Sequence, residues 1–394
     1  MIAALHDAVT GRRGFPIVLT LIILAYWLLR VLYPDTPSND DVKEQLWMMV
    51  DWRLGYGSGA NPPLFTWLVM VVDGVVRAAV PSVEIVRFVV FWLFCYMSAY
   101  VIRVMTGDDR LSALAGLAPL AVYAVGWEAV FRHSNTMLLI LSIPLTLTAL
   151  LRLDRRDDWG AYLIIAAVTA FGFYSKYNYA IVCAGFWGAA LMDTRLRARM
   201  LDRRMIVALL AVLLLLAPLL HWIAGHYSGM LAHGRLRIDL QPTYRAVPVP
   251  VSALADLAVQ GAGLVAPLFV ILAVLCPRAF WRVRDAGDID RARWRRLLGR
   301  YLLIVLALLV AGIFILGMRR FQLRYVYVLL PVLPWAFLRL AAAGFDVVRR
   351  RQLAAALVAV ILLAMTVATL RCVTFAARKA SAAAAAPIVH DMAG

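Results

Sequence analysis

Apolar stretches of about bilayer-crossing length recur along almost the whole chain, near residues 15–33, 84–105, 111–127, 136–152, 161–175, 177–192, 205–225, 251–275, 300–317, 325–343 and 353–373. A helix needs ~20 apolar residues to cross ~30 Å of hydrocarbon. Inside lipid a backbone must satisfy its own N–H and C=O groups, which turns such runs into helices. With 63% hydrophobic and 16% charged residues, no interval is left for a separate soluble domain. The expected architecture is an all-α polytopic membrane protein with about 11 transmembrane helices in one integral domain, 1–376. The alanine-rich tail, 377–394, reads as disordered or loosely bound.

A net charge of +17 would point to nucleic acid in a soluble protein. Here the arginines crowd into the connections 152–158, 193–204, 277–299 and 346–351, as cytoplasmic loops require, and no nucleic-acid partner is expected. All four connections share the side of Arg12-Arg13 only if 61–80 does not cross. That segment, with Asp73 and Arg77 on it, is therefore read as an interfacial helix. The N terminus is then cytoplasmic, and the first apolar run is an uncleaved first helix. The loop 34–83, residues 128–135, the turn at Ser175-Lys176-Tyr177, the loop 226–250 and the turn 318–324 converge on the outer face of a cell membrane, by expectation a bacterial inner membrane. Cys95, Cys183, Cys276 and Cys372 are scattered through apolar segments, with no spacing that points to a disulfide or a metal site.

The first outer loop carries Asn39-Asp40-Asp41, then Trp47, Asp51-Trp52, Gly55-Tyr56 and Asn61-Pro62-Pro63. Carboxylates lose hydration beside lipid and persist there when they have partners or a task. Asp40 also stands where it would cap a helix starting near Val42, with Glu44 in its first turn. Lys176 either holds an anion or snorkels from a helix end. Arg324 shares its turn with Arg319 and Arg320, against the positive-inside trend.

Three blocks resemble the signature of glycosyltransferase family 39, in the GT-C group that includes protein O-mannosyltransferases and lipid A aminoarabinose transferases. They are Asp40-Asp41 with Gly55-Tyr56-Gly57 and Asn61-Pro62-Pro63-Leu64, then Gly172-Phe173-Tyr174-Ser175-Lys176-Tyr177-Asn178, then Arg324-Tyr325 with Leu330-Pro331. The resemblance covers about residues 15–345. It implies a GT-C fold and inverting transfer of a sugar from a polyprenyl phosphate to an acceptor outside the cytoplasm, which would be a glycolipid, a polysaccharide or a protein. On it Asp40 is the general base, and Asp41 orients Asp40 or the acceptor. Lys176, Arg324 and Arg132 hold the donor phosphate, where negative charge develops. Tyr56, Asn61, His133, Asn135 and Tyr177 contact substrate. Two departures stand out: Asn135 replaces a family aspartate, and Asn61 replaces the histidine before the two prolines. They leave a divalent cation open, with Asp40 and Asp41 as its ligands if one binds. A flippase or transporter of lipid-linked sugar is the alternative from another class, and a noncatalytic binder of such lipids is a third.

Overall fold

The computed structural model describes residues 2–33, 40–56, 61–238, 240–244, 246–277 and 288–392. Among these residues the chain is helical throughout, apart from two isolated backbone bridges. Seven helices are long and apolar enough to cross a membrane: Gly14–Leu32, Ala79–Thr106, Asn135–Arg155, Arg203–Ala232, Ile289–Ile315, Leu323–Ala342 and Val347–Ser381. Four shorter apolar helices accompany them: Leu64–Val76, Trp159–Ser175, Tyr179–Leu191 and Val249–Val265. The thirteen residues of Leu64–Val76 rise only roughly 20 Å, which leaves this helix too short to cross.

Asn135–Arg155 is the central pillar: 83% of its apolar window is buried, against 22% for Arg203–Ala232. It packs against Leu64–Val76, Ala79–Thr106, Trp159–Ser175, Tyr179–Leu191 and Thr194–Met200. Gly172 lets Trp159–Ser175 and its successor close, since a Cβ there would fall 2.4 Å from the Tyr179 ring.

Proline breaks two of the expected spans. Residues 111–127 are not one helix: Asp109–Leu117 gives way to a 3₁₀ turn at Ala118–Ala121, a π turn at Tyr123–Trp127 and a short helix, Glu128–Phe131. Pro119 lacks an N–H and its ring collides with the preceding turn. The expected span 251–275 divides at Pro267 into Val249–Val265 and Leu268–Leu275. The two breaks face each other, with the Tyr123 N–H donating to the Ala266 carbonyl at 3.0 Å. Each segment thus satisfies backbone groups freed in the other. Before Pro331 a 3₁₀ turn interrupts the expected span 325–343 between Leu323–Val326 and Val332–Ala342, and the stretch Leu323–Ala342 keeps crossing length as a whole.

Two connections are more helical than their composition implied. The helix Arg203–Ile238 absorbs half of the expected loop 226–250, and Val347–Met392 runs as one helix through the tail that was expected to be loose.

The arginine-rich connections gather at one end. Asp154 pairs with Arg195 (3.1 Å) and Arg293 (2.6 Å), Arg293 reaches Asp193 (3.1 Å), and Arg350 reaches Asp108 (2.6 Å). Asp108, Asp158, Asp193 and Asp288 cap the helices that start at this end, each accepting a backbone N–H from three residues on. The site described next lies at the opposite end.

Candidate active site

Residues Asp40–Met48 form a helix that takes in Asp40 itself, two residues ahead of the start expected near Val42. The Asp40 side chain, Asn39 and Gly57 lie outside the described residues. This helix is fastened to the start of the central pillar. The Ser134 N–H donates to Asp41 Oδ2 at 3.0 Å, and the wholly buried Gln45 donates from Nε2 to Asn135 Oδ1, also at 3.0 Å. Gln45 Oε1 accepts from Thr66 Oγ1 at 3.0 Å, which ties in Leu64–Val76. Lys176, at the end of Trp159–Ser175, donates to Thr136 Oγ1 at 2.8 Å. Three consecutive residues at one helix N terminus thus receive Asp41, Gln45 and Lys176. Ser134 makes no side-chain cap of its own, so the Asp41 carboxylate fills that place, where the helix dipole favours negative charge.

Above this junction opens a cavity of about 630 Å³, whose lining includes Asp41, Glu128, Arg132, His133, Arg324 and Arg371, with Arg320 and Gln260. Four guanidinium groups face two carboxylates. Arg132 pairs with Glu128 at 3.4 Å, and Glu128 also accepts from Tyr123 Oη at 2.8 Å. Arg324 donates to Gln322 Oε1 at 2.6 Å and lies over the Tyr325 ring, while Arg371 lies over Trp127 and Phe131. His133 packs edge-on against Tyr327, and its Nε2 is sealed without a partner. Burial first, then the charges of Lys176 and Arg324, pushes the imidazole down to about 3, so it is neutral near pH 7. Such a cavity suits an anion. Asp41 Oδ2 accepts from Ser134 and cations ring the cavity; the described residues hold no group of three His, Cys, Asp or Glu, and the side chain of Asp40, the expected co-ligand, lies outside them.

A second groove of about 820 Å³ adjoins the same helix, with Glu44, Trp47, Asp51, Tyr56, Trp222 and His226 in its wall. Glu44 accepts from Asn61 Nδ2 at 3.0 Å. Lost hydration, then the nearby Asp41, raises its pKa, and Asn61, Lys176 and Arg324 pull it partly back.

Residues 60–222 match the dolichyl-phosphate-mannose-protein mannosyltransferase family. The lipopolysaccharide core galacturonosyltransferases RgtA and RgtB of Rhizobium johnstonii are 27% and 25% identical to the chain, over 83% and 91% of its length. The chain spans 65% of RgtA and 72% of RgtB. ArnT from Cupriavidus metallidurans shares the fold: bound to undecaprenyl phosphate it aligns with a TM-score of 0.57 at 15% identity, over 84% of this chain and 60% of ArnT. Its apo form aligns at 0.54 and 17%. The chain has a GT-C fold and is similar in sequence to these glycosyltransferases.

Within this GT-C chain the structure brings Asp41, Arg132, His133 and Arg324 to the cavity, with Lys176 near enough to act on His133 and Glu44. Tyr56 and Asn61 stand apart from it. They bridge each other through backbone bonds, and the Tyr56 hydroxyl donates to the Asp51 carbonyl at 2.8 Å. Asn135 is buried and engaged by Gln45. The Tyr177 hydroxyl is sealed without a partner, and burial pushes its pKa up to about 12. Sequence reasoning passed over Gln45, Glu128, Arg371 and Trp222. For Arg371 a signal existed, an arginine inside an apolar run.

Proposed function

We propose that the protein is an inverting glycosyltransferase that moves a sugar from a polyprenyl phosphate to an acceptor on the extracytoplasmic side, with residues 1–376 acting as one catalytic unit. The observation that carries this reading is the cationic cavity of Arg132, Arg320, Arg324 and Arg371, with Asp41 at its edge. A phosphate with its negative charge at the bilayer edge satisfies those groups while its prenyl tail stays in lipid. The solved relative of like fold was crystallised with undecaprenyl phosphate.

Asp40, at the start of the helix that carries Asp41, takes the proton of the acceptor hydroxyl. The acceptor oxygen bonds to the anomeric carbon from the face opposite the phosphate. The carbon–oxygen bond to phosphate breaks, and its electron pair leaves on the phosphate. Lys176 and Arg324 hold that charge, with Arg132 beside them. Neutral His133 leaves the cavity's positive charge to the guanidinium groups. Asn135 holds Gln45 behind the cavity, while Tyr56 lies in the second groove, bridged to Asn61.

The names of RgtA and RgtB make a galacturonosyl lipid phosphate and a lipopolysaccharide core acceptor the first pair to test. In purified form, the wild type consumes the donor and yields inverted product, Asp40→Asn is inactive while still folded, and Lys176→Ala needs more donor. Binding or translocation of the lipid-linked sugar without transfer would instead support the flippase or noncatalytic reading.

A further inference from the structure

The groove beside Glu44 has no part in holding phosphate, and it shares no lining residue with the cationic cavity. Trp222 lies 19 residues into a helix that starts at Arg203 in the arginine-rich end, a rise of roughly 28 Å, which places it at the far edge of the hydrocarbon. Its ring is fixed. His226 stacks on it at 4.2 Å and 14°, with Nδ1 at 2.9 Å from the Trp222 carbonyl oxygen. Gly55 approaches from the other wall so closely that a Cβ would fall 2.3 Å from the ring. Trp47, 83% exposed, lines the same groove. Between these faces stand the carboxylates of Glu44 and Asp51, and Asn61 orients the former. Flat rings interleaved with hydrogen-bond acceptors match a pyranose, whose C–H faces are apolar and whose rim is hydroxyl. An acyl chain has no use for the carboxylates, and Arg53, also in the wall, holds Asp51 at 2.8 Å.

We propose that this groove is the acceptor subsite for a saccharide, gripped between Trp47 and Trp222, with Glu44 and Asp51 accepting its hydroxyl hydrogens. The proposal rests on the transferase reading above and commits the acceptor to a glycan. Asp41 borders the cavity and Glu44 the groove three residues later on one helix, so donor phosphate and acceptor sugar approach within one turn, ~5 Å along the axis.

The test uses the full-length protein in nanodiscs and lipopolysaccharide core oligosaccharide freed of its acyl chains. Its binding is read by tryptophan fluorescence without donor, and its transfer is read with donor. Trp47→Ala and Glu44→Gln, both at positions exposed enough to leave folding intact, raise the acceptor Kd and KM by ~10-fold and leave the donor KM unchanged. Unchanged acceptor constants, or a donor KM that rises in step, overturn the subsite. Should the wild type transfer nothing, the transferase reading fails; oligosaccharide binding that both variants weaken would still uphold the subsite. If the oligosaccharide does not bind and only lipid vesicles quench the fluorescence, these aromatic residues are a membrane belt and the proposal falls.

Discussion

Gln45→Met tests whether the site-bearing helix is held by one buried amide. Methionine keeps the volume and removes both hydrogen bonds, so Asn135 Oδ1 loses its donor and Thr66 Oγ1 its acceptor. Thr66 is wholly buried and Asn135 is 5% exposed, which keeps water from replacing either partner. For the threonine hydroxyl the loss of its acceptor lies at the low end, about 1 kcal/mol. The asparagine oxygen, left without its donor, loses about 2 kcal/mol. The sum, about 3 kcal/mol, raises the opening of Asp40–Met48 by ~100-fold. Hydrogen exchange in nanodiscs reads this directly: amides of residues 42–48 should exchange about two orders of magnitude faster, while those of Ile289–Ile315 stay unchanged. A double-mutant cycle with Asn135→Leu should return a coupling of ~1 kcal/mol or more. Acceleration of less than ~3-fold, equivalent to under ~0.7 kcal/mol, would refute the claim that Gln45 fastens the helix.

Three further outcomes follow from buried contacts. Glu84 lies between Arg30 (3.4 Å) and Arg87 (3.1 Å), all three at most 1% exposed. Glu84→Gln should therefore cost about 3–5 kcal/mol, seen as a lower Tm, while replacing all three residues by apolar ones of similar volume should recover most of it. His133 titrates at about 3 in the folded protein against 6.5 ordinarily, so its contribution to stability is complete above pH 6.5 and is lost as pH falls toward 3, by at most about 1.4 kcal/mol per unit. In Tm series from pH 7 to 4, His133→Phe should lose less stability on acidification than the wild type, and parallel curves would contradict a neutral buried imidazole. Gly55→Ala should cost about 1–3 kcal/mol, because the Trp222 ring is backed by His226 and cannot yield, whereas Gly74→Ala, with open space around it, should cost nothing.

Hydrophobic periodicity made much of the fold legible. Gly14–Leu32, Ala79–Thr106 and Asn135–Arg155 lie where the apolar runs placed them, and Leu64–Val76 is short, as the charge asymmetry demanded. Hydropathy says nothing of backbone continuity, so Pro119 and Pro267 broke runs that read as single spans. The breaks at Pro119 and Pro267 stand only because the Ala266 carbonyl and the Tyr123 N–H meet, a pairing across 143 residues that no local pattern carries. At the site, Asp41, Arg132, His133 and Arg324 were visible because charge at a lipid edge is conspicuous. Gln45 was not, since an amide inside a short helix looks solvated until its partners on two other helices are known. Glu44 stood in view as the residue one turn after Asp40, but its place as the divide between cavity and groove depends on Trp222, far along the chain.

The helix N terminus at Asn135 also resolves the departure that the sequence made conspicuous. An asparagine where the family resemblance implies an aspartate looks like a lost catalytic acid. Its Oδ1, however, accepts a hydrogen bond from Gln45, and a neutral amide does this as well as a carboxylate. A carboxylate there would add a second negative charge beside Asp41, which already occupies the favourable end of the dipole through the Ser134 N–H. Asparagine thus keeps the mechanical link and spares Asp41 a repulsive neighbour. The link holds Asp40–Met48 in place, with Asp41 at the phosphate-sized cavity and Glu44 at the aromatic groove.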